Sequence, residues 1–175
     1  MNIPLDEFAA RVLKVNHSGE NGAVNIYAGQ IFLARLTAPG IVAQLTEFKS
    51  HEERHRAIFW AELQRRERPR CRSYWLCGIG GFMLGLVTAI FGQRAIAATT
   101  VAVERVVLHH LEQQLKVLSD KDEEAAKAVG SIVMEERLHH DQSVSLAADD
   151  GFWSRVLLPV VSASTEAVIW IGMRG

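Results

Sequence analysis

Two glutamates, Glu20 and Glu104, each stand 32 residues ahead of a Glu-x-x-His, Glu52–His55 in the first half and Glu136–His139 in the second. A repeated interval of this kind restricts how the chain can fold back on itself. Within each Glu-x-x-His, an i, i+3 step turns a helix by about 300°, so both side chains project from one face. In an antiparallel helix pair, residues equidistant from the connecting turn lie at the same height. The midpoint of Glu20 and Glu52 falls beside Thr37-Ala38-Pro39-Gly40, and that of Glu104 and Glu136 falls inside Ser119-Asp120-Lys121-Asp122. Both stretches favour turns. Each half therefore reads as a hairpin that sets a lone Glu level with its Glu-x-x-His. Two such hairpins make a four-helix bundle with four carboxylates and two imidazoles at one height, the ligand set of a carboxylate-bridged two-metal centre.

The rest of the chain fits an all-α architecture. Phe8, Val12, Val15, Val24, Tyr27 and Ile31 recur at helical spacing and predict a helix from Leu5 to about Arg35. A second runs to about Arg68, where Pro69 stops it, a third from Val101 to Leu118, and a fourth from Glu123 to about Asp149, closed by Gly151. A last apolar segment spans Trp153 to Ile171, and no stretch reads as a sustained strand. The 175 residues suit one well-buried domain, 1–175, with residues 69–94 as an insert between the hairpins. Nineteen Lys and Arg balance twenty Asp and Glu, which gives no electrostatic case for nucleic acid. Cys71 and Cys77, spaced C-x5-C, match neither a zinc knuckle nor a disulfide framework and read as reduced thiols of an intracellular protein. The acidic start, Met1-Asn2-Ile3-Pro4-Leu5-Asp6-Glu7, lacks the layout of a signal or transit peptide.

A single Glu-x-x-His is commonly a surface ion pair. Its duplication at matched spacing favours metal ligation by Glu20, Glu52, His55, Glu104, Glu136 and His139. Carboxylates with two imidazoles suit iron or manganese, and ligand type alone does not choose between them. Glu52 and Glu136, each on the face of a terminal His, are the natural bridging residues, leaving Glu20 and Glu104 to cap one metal each. No catalytic side chain is expected beyond this centre. His110, Asp141 and Tyr27 are candidates to support it from behind: His110 as either a proton-handling group or an exposed or capping residue, Asp141 as an orienter of a ligand His, and Tyr27 as either a core residue or part of the site wall. His140 points about 100° away from His139.

Between the halves, Ser73 to Gln93 is 21 residues without a formal charge. By length alone it could cross a bilayer. Arg65, Arg66, Arg68, Arg70 and Arg72 precede it, and Tyr74 and Trp75 sit at the junction as interfacial aromatics do. A single crossing would separate the two halves of the ligand set, so the segment reads instead as monotopic, with the arginines on anionic headgroups and Phe82, Leu84 and Leu86 in the apolar layer. Gly81-x-x-x-Gly85 allows close helix approach. The rival reading is a buried crossover without lipid contact. The C-terminal apolar segment would cover the bundle or deepen the membrane contact.

Val15-Asn16-His17-Ser18-Gly19-Glu20-Asn21-Gly22-Ala23 with Ile26-Tyr27-Ala28-Gly29-Gln30, Glu52-Glu53-Arg54-His55, Thr100-Val101-Ala102-Val103-Glu104 through His109-His110, and Glu135-Glu136-Arg137-Leu138-His139-His140-Asp141 together resemble the four helix motifs of the demethoxyubiquinone hydroxylases. The resemblance covers nearly the whole chain. It departs at Glu104-Arg105, where many relatives carry two acids. It implies a ferritin-like bundle that holds two iron ions on the six residues named above. The implied enzyme is a membrane-associated monooxygenase that hydroxylates the ring of a polyprenylated demethoxyquinone with dioxygen, using reducing equivalents from NADH. Implied partners are the polyprenyl quinone and membrane lipid, with room for a homo-oligomer or an accessory lipid-binding protein of the ubiquinone pathway. The implied location is the cytoplasmic face of the bacterial inner membrane. Ferroxidases and dimanganese catalases share the ligands but have no use for an Arg-flanked apolar insert.

Overall fold

The computed structural model describes residues 5–147 and 151–174. Over these it is all-helical, with α1 (Leu5–Thr37), a 3-10 turn (Pro39–Ile41), α2 (Val42–Arg65), α3 (Tyr74–Ile90), α4 (Gln93–Leu118), α5 (Glu123–Gly130), α6 (Val133–Ala147) and α7 (Gly151–Gly172). Helices α1 and α2 form one antiparallel hairpin, and α4 with α5–α6 forms the other. The hairpins face each other with α1 antiparallel to α4 and α2 antiparallel to α6. Asn16 Nδ2 donates to Gln114 Oε1 at 2.8 Å on the first seam, and Gln44 Nε2 to Gln142 Oε1 at 3.0 Å on the second. This is the ferritin-like bundle of two hairpins that the sequence predicts. Helix α3 is the crossover and runs along the outside of α1, while α7 runs along α4.

The boundaries differ from the sequence reading in three places. Helix α2 stops at Arg65 rather than Arg68, because Glu67 adopts a left-handed φ of 53° and Arg68 N–H turns back to Leu63 O. Helix α4 begins at Gln93, well before Val101. Gly92 (φ 79°) makes the sharp entry, and Ala95, Ile96, Ala97 and Ala98 are buried against the bundle. The fourth helix is broken at Ser131–Ile132, so that the N–H groups of Glu135 and Glu136 both reach Ile132 O as the helix restarts. Its expected end near Asp149 lies outside the described residues, and Gly151 opens α7.

Two apolar layers bracket the bundle's midsection. Leu13, Phe59, Leu63, Leu111, Leu118, Val129 and Ile132 pack at one end, and Ala34, Ile41, Leu45, Phe48, Ala89 and Ile96 at the other. Burial of a Leu or Phe side chain stabilises by about 1.5–3 kcal/mol, so these layers hold the helices in register around what lies between. At the lower end Arg66 clamps the hairpins together. Its guanidinium donates two bonds of 2.7 Å to Asp122, whose side chain also accepts from Ala125 N–H and caps α5.

The arginine run and the insert are therefore used differently from the sequence expectation. The Arg66 side chain is directed inward to Asp122 and Glu62, Arg68 pairs with Asp6, and Arg65 pairs with Glu62. The Arg70 guanidinium lies 4.4 Å from the Trp60 ring centroid and 4.8 Å from that of Tyr74, leaving Arg72 exposed without these duties. Tyr74 is buried, not interfacial, and Phe82, Leu84 and Leu86 are only partly exposed. The reason is the rotational setting of α3. A Cβ on Gly81 would collide with Gly22 O, and one on Gly85 with Ile26 O, so the glycine face is pressed to the α1 backbone. The outward stripe is Trp75, Leu76, Ile79, Met83, Val87 and Ile90. Helix α7 also exposes Val156, Val160 and Ile171, and Phe91 meets Trp153 with ring centroids 4.8 Å apart. At 17 residues α3 is about 25 Å long and short of a bilayer core. Among the described residues only Arg155–Gly172 has the length and composition of a span, and it lies against α4.

Candidate metal centre

Helices α1, α2, α4 and α6 each deliver side chains to the layer between the two apolar cores. Glu20, Glu52, His55, Glu104, Glu136 and His139 are all buried there. One donor atom from each of Glu20, Glu52, His55 and Glu136 lies within 4.8 Å of the others, and the same holds for Glu52, Glu104, Glu136 and His139. Glu52 and Glu136 belong to both groups. Each imidazole turns Nδ1 inward and comes closest to the glutamate of the opposite motif. His55 Nδ1 is 2.9 Å from Glu136 Oε1, and His139 Nδ1 is 3.0 Å from Glu52 Oε1.

The electrostatics of this layer call for added positive charge. Burial pushes the Glu20 carboxyl well above the usual range, and the charges of Glu52 and Glu136 push it further. Burial does the same to Glu104, reinforced by Glu136 and Glu52. Burial opposes the charged form of His139, but its contacts with Glu136 and Glu52 win and raise the pKa to about 9. His55 is likewise raised, through Glu136, Glu20 and Glu52, against the same burial effect. Glu52 is held well below the usual carboxylate range, where contacts from His139 and His55 outweigh burial. Two protonated rings stand in here for cations. Even so Glu52 Oε1, His55 Nδ1, both Glu136 oxygens and His139 Nδ1 are buried without a hydrogen-bond partner of good geometry. Bonds of about 2.1 Å to a metal keep donor atoms within about 4.2 Å of one another, close to the spacing observed. The donor set fits two hard divalent ions.

The three supporting candidates fall in different places. Tyr27 is both core and site wall, since its buried hydroxyl donates to Glu104 Oε1 at 3.1 Å. His110 faces away from the cluster and pairs with Glu166 of α7 at 2.8 Å, because its position on α4 lies off the inward face. Asp141 is exposed and pairs with His140 at 3.0 Å, so it orients no ligand. That role belongs to two residues the sequence reading passed over. Glu135 Oε2 is 2.7 Å from His55 Nε2, and His51 Nδ1 is 3.0 Å from His139 Nε2. Both stand immediately before a Glu-x-x-His, and each reaches across to the other motif's histidine. The repeat itself was the signal for them.

Comparison with known proteins closes the question of family. A family model described as ubiquinone biosynthesis protein COQ7 matches residues 7–172. The chain belongs to the COQ7 family. Its relatives include the 3-demethoxyubiquinol 3-hydroxylase of Rhodospirillum rubrum, 32% identical over 166 residues, covering 94% of this chain and 77% of that protein. The NADPH-dependent 3-demethoxyubiquinone 3-hydroxylases of mitochondria are similar too. That of Dictyostelium discoideum is 31% identical over 169 residues and that of Homo sapiens 31% over 170, each match covering 94% of this chain and 76% of the relative.

Proposed function

We propose that this chain is an oxygen-dependent hydroxylase of the ring of a polyprenylated demethoxyubiquinol, with two iron ions as its cofactor. The observation that carries the reading is the pair of four-donor groups sharing Glu52 and Glu136, in a chain similar to proteins named 3-demethoxyubiquinol 3-hydroxylase. Glu52 and Glu136 would bridge the ions, Glu20 and His55 would complete one position, and Glu104 and His139 the other. Iron held there would relay electrons from the reductant and activate dioxygen for such chemistry. The chain's own residues hold the donors and keep bulk water out, for the layer is bracketed by Tyr27 and Phe48 on one side and Phe59 and Ile132 on the other. The Tyr27 hydroxyl holds the Glu104 carboxylate in one orientation.

The exposed stripe of α3, with Val156, Val160 and Ile171 of α7, forms the membrane-facing surface in this reading. It would let the isoprenoid tail stay in lipid while the ring enters the bundle. Peripheral attachment keeps both halves of the ligand set on one side of the bilayer. The reductant is a reduced nicotinamide nucleotide. The resemblance implied NADH, whereas the mitochondrial relatives are named for NADPH, so both belong in the assay. The test is incubation of iron-loaded protein with a reduced demethoxyquinone under labelled dioxygen, read by product mass. One labelled oxygen per product is expected. A hydroxylated product without the label refutes the monooxygenase reading, and full activity without bound metal refutes the centre.

A further inference from the structure

The two halves of the cluster match in their six donors but differ in what stands behind them. Once Nδ1 is given to an ion, His55 and His139 would keep their remaining ring proton on Nε2 and donate outward. In that form His55 Nε2–H is directed at the Glu135 carboxylate, 2.7 Å away, whereas His139 Nε2–H is directed at Nδ1 of the His51 ring, 3.0 Å away. An anionic acceptor draws more strongly on the ring proton and leaves the imidazole a better donor to a cation. Arg54, 2.7 Å from the other Glu135 oxygen, moderates this charge without removing it. The lone glutamates differ in the same sense. The Tyr27 hydroxyl draws density from Glu104 Oε1, while the nearest histidine to Glu20 is the cluster's own His55, whose Nδ1 is 3.8 Å from Oε2.

We infer that the two ion positions have unequal affinity: the Glu20–His55 position, backed by Glu135, fills first, and the Glu104–His139 position, backed by His51 and Tyr27, fills second and empties first. Glu135 and His51 are positioning residues that act through the ligand histidines, and the inference rests on the two-ion reading above. Both biases favour the same position, so they add.

The experiment is anaerobic titration of the full-length, chelator-stripped protein with ferrous ion alone, followed by calorimetry. Two binding steps separated by about ten- to a hundredfold are expected, the range over which such outer partners change metal affinity. Glu135→Gln keeps the size and the hydrogen bond but removes the charge, and it should weaken the first step. His51→Glu gives His139 an anionic acceptor and should tighten the second step, as should Tyr27→Phe. Misfolding would weaken both steps, so it cannot imitate variants that close the gap from opposite sides. Helical content by circular dichroism accompanies each titration. Two ions bound with indistinguishable constants in the parent overturn the inference alone, as does an unchanged separation in both Glu135→Gln and His51→Glu. Fewer than two ions overturns the metal-centre reading together with it.

Discussion

His17, one helical turn before Glu20 on α1, offers a direct test of how the fold holds the ligand-bearing helix. Its ring is 1% exposed and stacks on Trp60 and Tyr74, with centroids 5.3 and 4.8 Å apart. Burial, followed by the nearby charges of Arg70 and Arg56, lowers its pKa from 6.5 to about 4. The folded protein thus favours the neutral ring by about 3 kcal/mol relative to the unfolded chain. Because the folded pKa is the depressed one, this stabilisation is complete above pH 6.5 and is lost as the pH falls from 6.5 to about 4. His17→Phe keeps a flat ring in the stack but cannot titrate. Urea unfolding of both proteins, with chelator present so that the cluster is in the same state in each, should show similar stability at pH 7, within about 1–2 kcal/mol for an altered ring pair. At pH 4 the parent should have lost about 3 kcal/mol more than the variant. The carboxylates contribute equally to both curves, so the difference isolates His17. Parallel pH profiles would refute the argument and mean that a proton or water reaches the ring in the folded state.

Other expectations follow from the same structure. The chelator-stripped protein should lose about 3 kcal/mol as pH rises from 6.5 through about 9, because the raised pKa of His139 is a stabilisation that is complete below 6.5 and leaves with its proton. Metal stabilisation should grow over the same window, since ligation needs the deprotonated ring; thermal melts with and without ferrous ion that move in parallel contradict this. Gly85→Ala should destabilise by about 1–3 kcal/mol through overpacking against the α1 backbone, whereas Gly80→Ala, which meets nothing within 4 Å, should gain about 0.5–1 kcal/mol of helix propensity; equal melting shifts would show that α3 is not seated through its glycines. Ile79→Asp should weaken vesicle binding about tenfold, for loss of a side chain's transfer energy, while leaving the melting temperature nearly unchanged because Ile79 is 66% exposed. Unaltered vesicle sedimentation would remove the α3 stripe from the membrane surface.

What was legible in the sequence was whatever periodicity and symmetry encode. Equal spacing about two turns places Glu20 level with Glu52 and Glu104 level with Glu136, and the structure gathers all four with His55 and His139. The insert was less legible because nearly every residue in it is apolar, so composition gives no orientation about the helix axis. Only the glycines do. Once Gly78, Gly81 and Gly85 are taken as the buried face, the outward stripe falls on Trp75, Leu76, Ile79, Met83 and Val87, and Tyr74 must turn inward onto His17.

The residues that support the ligand histidines were hidden for a different reason. A sequence search for an orienting carboxylate looks beyond the motif, to Asp141, when the structure uses the position just before it. His51 and His55 are four residues apart, as are Glu135 and His139, so each supporter shares a helix face with its own motif's histidine. Antiparallel packing of α2 on α6 then sets each supporter against the opposite histidine, Glu135 on His55 and His51 on His139. The same crossing appears one layer inward, where His55 approaches Glu136 and His139 approaches Glu52. The two hairpins are thus joined by reciprocal contacts through the centre itself. A change at Glu135 on α6 acts on the histidine of α2, and a change at His51 on α2 acts on the histidine of α6. Affinity at either ion position therefore depends on how the hairpins are seated on each other, which ties the bundle's packing to its metal chemistry.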